Sequence, residues 1–523
     1  MNPLASTQPV RRVLTLVSAI GLVVLLVACG SNNNSAPSNP VGFGNSSLSG
    51  TYVFSSSGED GLGGFAAIAG SISANGSGGI TGGTIDIVDS SFGSEPSPVA
   101  QTITSGSYAV STDGRGRVTL KSLYGSYTFD FALASSSHGL VTEFDGNGTG
   151  SGTIDLQTAL TGIGQLAGSY AFSLGGIDGN FNNFASVGSF TLDSNGNVTG
   201  GVQDFSDGGT AYSGPLTGLP ATLGSGTAPG TITLTANFGS IAFDFYPIDA
   251  THLKFIETDY NQILSGDAFS QTGASIPSGT VAFTMSGGVS APVAVGGFMT
   301  SDGTGNFTGG VEDANNNGAV TQEQFSGAAA SGGSVGGRVL VNLSGFSPST
   351  QWVIYPSSGG LLMLESDSLN TMLGAAYAQT SQTIAASQNY AFNLSADNTS
   401  AGLEEDDIAQ FTTTSSALSG VVDINDDAAL SFAQSLSGTY TLDSPATGRG
   451  EATTTANGGG FVSFNFYVVN SSTVLVLETD NNQIGSGIFQ FQTAPSGQVA
   501  QSHVALAHVP IRSLEKRGTL HHK

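Results

Sequence analysis

The chain holds one cysteine, Cys29, and one tryptophan, Trp352, in 523 residues. A single thiol excludes an intramolecular disulfide, so the folded part must be held by burial and sheet hydrogen bonds alone. Positive charge is almost as scarce, with 12 Lys and Arg against 38 Asp and Glu. Arg11 and Arg12 precede an apolar run, and Arg512, Lys516, Arg517 and Lys523 lie near the C-terminus. Only Arg115, Arg117, Lys121, Lys254, Arg338 and Arg449 remain for everything between. With a formal net charge of −26 and no basic patch to release phosphate counterions, nucleic acid and anionic lipid surfaces are excluded as partners. Helical periodicity is missing too, since no stretch after the leader sustains it.

What the chain has is glycine, 76 residues of it, 30 phenylalanines, and a repeat. The stretch His252 to Thr272 is written four times. Its glutamate is Glu143, Glu257, Glu365 and Glu478, and its closing pair is Gln157-Thr158, Gln271-Thr272, Gln379-Thr380 and Gln492-Thr493. Each Gln lies 14 residues after its Glu, and both series step by 114, 108 and 113 residues. A gap kept free of insertions reads as a paired hairpin, because a slip of one residue would turn every side chain to the wrong face.

The repeat defines four units, at 48–158, 166–272, 277–380 and 386–493. Each opens on an aromatic pair or its equivalent: Tyr52/Phe54, Tyr170/Phe172, Val281/Phe283 and Tyr390/Phe392. An apolar strand follows, then an Asn-Gly type turn such as Asn195-Gly196, then a strand ending on Asp86, Asp204, Asp313 or Asp423. Alternation in Ile241/Phe243/Phe245 and Val462/Phe464/Phe466 marks strands with one buried face. Trp352 takes the column of Phe243 and Phe464 and is expected in the core. The count is eight strands per unit joined by short turns, an all-β class. Closing the first strand onto the last removes both edges, so the expectation is four tandem antiparallel, up-and-down barrels, calycin-like in outline, with filled lumens. A two-sheet β-sandwich is the alternative, and paired propeller blades rank third. Short linkers suggest rigid beads on a string with some packing between neighbours.

The first 29 residues combine Arg11-Arg12, an apolar run from Val13 to Ala28, and the sequence Leu26-Val27-Ala28-Cys29. This resembles the lipobox of bacterial lipoproteins. The resemblance implies cleavage before Cys29, diacylglycerol on its sulfur and acylation (palmitate or similar) of the new amino terminus. Several acyl chains hold a protein stably to a bilayer. Gly30 in place of Asp implies the outer membrane where a cell has two. Residues 30–47 read as a flexible Ser/Asn/Gly/Pro tether, and 494–523 as a frayed tail holding His503, His508, His521 and His522 without metal-ligand spacing.

Candidate chemistry centres on acids. Glu143/Asp145, Glu257/Asp259, Glu365/Asp367 and Glu478/Asp480 stand two apart on a strand, a spacing that could serve glycoside hydrolysis. The competing reading is an Asp that starts the turn and a Glu that accepts hydrogen bonds at the strand end. Asp313, Asn315 and Asn317, followed by Gly318, match half of a calcium loop, but Gln324 stands where the closing Glu should be. Asp423-Ile-Asn425-Asp-Asp427 is a second partial copy and Asp204/Asp207 a poorer one. Ordinary Asx-type turns are the favoured reading and no cofactor is expected, with calcium at one or two of these loops the alternative, since oxygen ligands on an acidic surface suit a hard cation. No Gly-x-Ser-x-Gly elbow or Gly-Lys-Ser/Thr loop supports nucleophilic or phosphate chemistry. The expectation is a lipid-anchored envelope protein in a non-catalytic structural, adhesive or ligand-binding role, similar in composition to the Gly/Ser/Thr-rich repeats of uncharacterised bacterial lipoproteins. The alternatives are a small-molecule carrier using the barrel lumens and a carbohydrate-active hydrolase using an acid pair.

Overall fold

The computed structural model describes residues 42–493 and 495, apart from 93–99, 238, 260–261, 331–334, 400–401, 445 and 458–462. The leader with Cys29, most of the expected tether and the C-terminal histidines lie outside the described residues. The chain divides into Met1–Ala36 and Pro37–Lys523, and everything below concerns the second part.

Four closed antiparallel barrels follow one another. The last three run from Gly168–Asp178 to Gln262–Ser270, from Ser278–Gly288 to Met372–Ala378, and from Asn389–Asn398 to Gln483–Phe491, each with eight strands in sequence order. The first closes in the same way, Ser49–Asp60 pairing with Phe65–Asn75 on one side and Gly148–Leu156 on the other. Its fourth strand is broken into Gln101–Thr102 and Ser105–Val110. The barrel expectation is met, and sandwich and propeller are excluded. Among the described residues the only helices are short 3-10 turns.

The expected tether over 30–47 is shorter than the sequence suggested. From Gly42 the backbone hydrogen-bonds to Thr112, Phe43 is buried in the first barrel's core, and Asn45–Ser47 forms a 3-10 turn. One aromatic ring with a barrel end to cover overrides a disordered composition.

Each lumen is a packed core. In the second barrel Tyr170, Phe172, Phe190, Phe243, Phe245 and Phe255 fill it, and Trp352 does so in the third. Phe255 meets Phe243 edge-on at 5.6 Å, and Phe283 meets Trp352 at 5.3 Å. Some of the glycine is explained by these rings. Gly116, Gly230 and Gly450 stand directly across from Phe131, Phe245 and Phe466. A β-carbon on any of the three would come within 2.1–2.3 Å of the facing ring. In the third barrel the ring is replaced by Ile354, and the residue across from it is Val339 instead.

The barrels do not hang as separate beads. Val53, Phe65 and Ala67 of the first pack on Tyr246, Ile248 and Ile256 of the second. Ala185, Val187 and Phe269 of the second pack on Val353, Leu362 and Leu364 of the third. Ala282, Ala294 and Phe298 of the third pack on Leu475, Leu477 and Ile484 of the fourth. The fourth then returns to the first, where Ala391 and Ile408 join Ala132, Ala134 and Leu140. Four barrels thus make a closed ring. The second strand of each barrel lies at a seam and is buried on both faces, as in Asn183–Leu192. The fourth strand, such as Thr210–Thr222, keeps an exposed outer face.

Candidate functional site

The acids that recur at Asp86, Asp204, Asp313 and Asp423 lie on the third strand of each barrel and are buried. A buried carboxylate must be paired to remain charged, and each of these finds its partner across a seam. Asp204 accepts from the Tyr355 hydroxyl at 2.6 Å and from Arg338 Nε and Nη2 at 2.7 and 2.6 Å. Asp313 accepts from Tyr467 at 2.6 Å and from Arg449 Nε and Nη2 at 2.6 and 3.1 Å. Both use the bidentate fork that suits guanidinium to carboxylate.

The other two seams vary the theme. Asp86 accepts from Tyr246 at 2.6 Å and from the Ala100 amide, but Pro229 occupies the position of the arginine. Asp244 of the second barrel approaches Asp86 instead. Burial, reinforced by Asp86, pushes Asp244 up to about 7, and burial raises Asp86 as well. At the ring-closing seam Arg115 reaches Asp423 at 3.5 Å, and Ala132 stands where the tyrosine would be. Arg117 there holds Asp130 at 2.5 and 2.6 Å and lies over the Phe432 ring at 4.3 Å.

The recurring glutamines form a second series of clamps. Gln157 Nε2 donates to the carbonyl of Pro247 at 2.8 Å, Gln271 to Pro356 at 3.2 Å, Gln379 to Val468 at 3.0 Å, and Gln492 to Leu133 at 2.8 Å. The last three also reach a second carbonyl, at Gly336, Thr447 and Asp113. The backbone amides of Thr158, Thr380 and Thr493 add bonds to Ile248, Val469 and Ala134. Sequence reasoning missed this use of the Gln-Thr pair, reading it only as the end of a hairpin.

The partial calcium loops fall at the same seams. Asp313 gives both carboxylate oxygens to Arg449, so its counter-charge is already supplied by protein. Asn315 Nδ2 donates to the carbonyls of Glu478, Asp480 and Gln483 in the fourth barrel, and its Oδ1 accepts from the Gly318 amide at 3.0 Å. Asn317 is a turn residue with φ of 48°. Asn425 repeats the role of Asn315, donating to Glu143 and Gly148 of the first barrel at 2.7 and 2.8 Å. Among the described residues no three His, Cys, Asp or Glu side chains converge as a metal cage would need.

Glu143, Glu257, Glu365 and Glu478 stand across from Phe129, Phe243, Trp352 and Phe464. These partners are lumen residues, so the carboxyls face the ends of the lumens, and all four are buried. Burial first, and then the aspartate two residues on, pushes Glu143, Glu365 and Glu478 well above the usual carboxyl range. Asp145 and Asp367 start turns, accepting the amides of Asn147 and Leu369 at 2.9 and 2.8 Å. Asp145, Asp259 and Asp367 also tie back to the neighbouring strand through the amides of Thr128, Ala242 and Gln351. The structure thus places each acid pair at a strand end rather than in a cleft.

Comparison with known proteins adds little to this geometry. No protein-family model matches the sequence, and no curated protein matches it. Among solved structures, the translocation pore of the P pilus usher aligns with 84% of this chain and 98% of its own length, at 8% identity and a TM-score of 0.13. A likeness at that level carries no argument.

The ring-closing seam differs from the other three in chemistry. At the position of Ala67, Ala185 and Ala294, all fully buried, the fourth barrel carries Asp406, within the run Glu404-Glu405-Asp406-Asp407. Thr149 and Ser151 of the first barrel donate to Asp406 at 2.7 and 2.5 Å, and the Glu404 amide donates to Glu59 at 3.1 Å. Burial drives Asp406 up to about 7 and Glu404 well above its usual value.

Proposed function

We propose that this chain is a lipid-anchored protein of the bacterial envelope whose ring of four barrels is a rigid, non-catalytic display or binding body. The observation that carries the reading is the clamp from Gln492 to Leu133 and Asp113, by which the last barrel is tied to the first as each is tied to the next. A chain closed on itself fixes the spacing of its surfaces, which suits a scaffold or a ligand-binding element better than a set of loose beads. Support against catalysis comes from the recurring acids, which lie at seams, turns and buried lumen ends rather than in a cleft. Support against carriage within a lumen comes from the aromatic filling. The gap reaching into the second barrel is about 10 Å³, room for about one water.

The anchor rests on Leu26-Val27-Ala28-Cys29, and the family rule at Gly30 points to the outer membrane of a two-membrane cell. Metabolic labelling with a palmitate analogue, followed by membrane fractionation, tests it. Label and membrane association are expected for the wild type and neither for Cys29→Ser. Equal labelling of both, or a wild type found wholly in the soluble fraction, would overturn the anchor.

A further inference from the structure

The four barrels meet around a cavity at the centre of the ring. Ser151 comes to it from the first barrel, Ser173 from the second, Thr284 and Ser286 from the third, and Asn393 and Ser486 from the fourth. Space open to the centres of water molecules is about 80 Å³, several times the roughly 10–15 Å³ that a single water needs.

The wall has a definite chemistry. No residue in it is charged. Ser151 donates its proton to Asp406 at 2.5 Å, and Ser395, also in the wall, donates to Glu404 at 2.9 Å. Ser151 also accepts from Asn393 Nδ2 at 2.9 Å, which leaves its oxygen one lone pair for the cavity. The hydroxyls of Ser173, Thr284, Ser286 and Ser486 have no hydrogen-bond partner among the described residues. Ser173 and Ser286 are buried within the ring and Thr284 and Ser486 are half-buried, so these hydroxyls look onto the cavity, and whatever occupies it supplies their hydrogen-bond partners. Between the hydroxyls lie Leu373, Leu475 and Ile488, while Met285 turns its side chain into the third lumen.

We propose that this axial cavity binds one small uncharged polyol. A wall of rotatable hydroxyls matches a molecule whose groups both donate and accept, and the apolar side chains suit its C–H faces. A charged ligand would be stripped of water with no counter-charge in the wall, which the low-polarity surroundings penalise heavily. Apolar ligands would leave the serines unsatisfied. The inference goes beyond the envelope reading and stands whether or not Cys29 is acylated.

Saturation-transfer NMR on the purified protein, with erythritol as the probe, tests it. Erythritol resonances should be saturated by the wild type and not by Ser286→Leu, which fills the cavity. Thr284→Val keeps the shape and removes one hydroxyl, so it should weaken binding about two- to tenfold, the range for one lost hydrogen bond. Each variant is compared only if its scattering profile matches the wild type; if Ser286→Leu disturbs the ring, Thr284→Val decides. No saturation of erythritol by the wild type (a cavity holding water alone), or undiminished saturation by the variant with the intact profile, would overturn the proposal.

Discussion

Gln492 donates its side-chain amide to the carbonyl of Leu133, a residue 359 positions earlier, at 2.8 Å. The bond repeats the one that Gln379 makes to Val468 between the third and fourth barrels, at 3.0 Å. One residue of the repeat therefore serves both as a link between consecutive barrels and as the closure of the ring.

Gln492→Ala should loosen that closure while leaving the barrels folded. Two carbonyls, at Asp113 and Leu133, lose their side-chain donor, at a cost of about 1–3 kcal/mol. Hydrogen exchange followed by mass spectrometry should show faster exchange around Ala134 and Thr493, whose backbones are bonded at 2.8 Å. Protection across the apolar seam between the second and third barrels should not change. Uniform loss of protection would contradict the assignment.

The arginine seams should be unequal in strength. Asp313→Ala strips Arg449 and Tyr467 of a carboxylate held at 2.6 Å, and breaking such a buried pair costs about 3–5 kcal/mol. Asp423→Ala removes a partner that Arg115 meets only at 3.5 Å, with no tyrosine present, and should cost clearly less. Urea denaturation of the two variants gives the comparison. Equal losses would show that the arginine geometry does not set seam strength.

Barrel topology was legible because Glu and Gln keep a constant spacing through four copies and the lumen aromatics alternate. The ring was not read, although two signals were present. Runs such as Phe184-Ala-Ser-Val-Gly-Ser-Phe190 are too continuously apolar or small for a strand with one wet face, and they prove to be buried on both. Scarcity of positive charge was the other signal: Arg115, Arg338 and Arg449, three of the six bases in the repeats, occupy one repeat position and face the recurring Asp. The Asp and Asn of the supposed calcium loops were read as turn chemistry because a local pattern cannot reveal a partner 136 residues away, as for Asp313, or 282, as for Asn425. The central cavity was invisible for the same reason, since its wall is assembled from all four units.

Stability should fall as the medium turns from mildly acidic to mildly alkaline. Glu404 meets Glu59 of the first barrel and Asp397 of its own, Asp406 lies near Glu143 of the first, and Glu405 sits among Asp426, Asp406 and Asp480 of the fourth. Burial lifts Glu405 and Asp406 to about 7. A carboxyl with a raised folded-state value keeps its proton when the unfolded chain has lost it. Its contribution is complete below the ordinary value near 4 and is lost as pH rises through about 7. Asp244 near 7 and Asp130 near 6 act with the same sign. Asp267 opposes them only below about pH 4, because Lys254 and His252 hold it low against the effect of burial. The melting temperature should drop between about pH 5 and about pH 8, and Asp406→Asn should flatten the slope. A flat or rising wild-type profile would contradict the buried acidic seam.

Trp352 is the only tryptophan and is 2% exposed inside the third barrel. Its emission should be blue-shifted and resist acrylamide quenching. If seams couple the barrels, the tryptophan transition in urea should coincide with loss of the far-ultraviolet β signal, as a cooperative unit requires. An early tryptophan transition would mean that the third barrel melts alone.

Small-angle X-ray scattering of the unlipidated protein tests the closed ring most directly. A compact body of this length should give a radius of gyration of roughly 23 Å, and the distance distribution should fall to zero without a long tail. Four barrels strung in a line would give a much larger radius and an extended tail, and that result would contradict the return of the fourth barrel to the first.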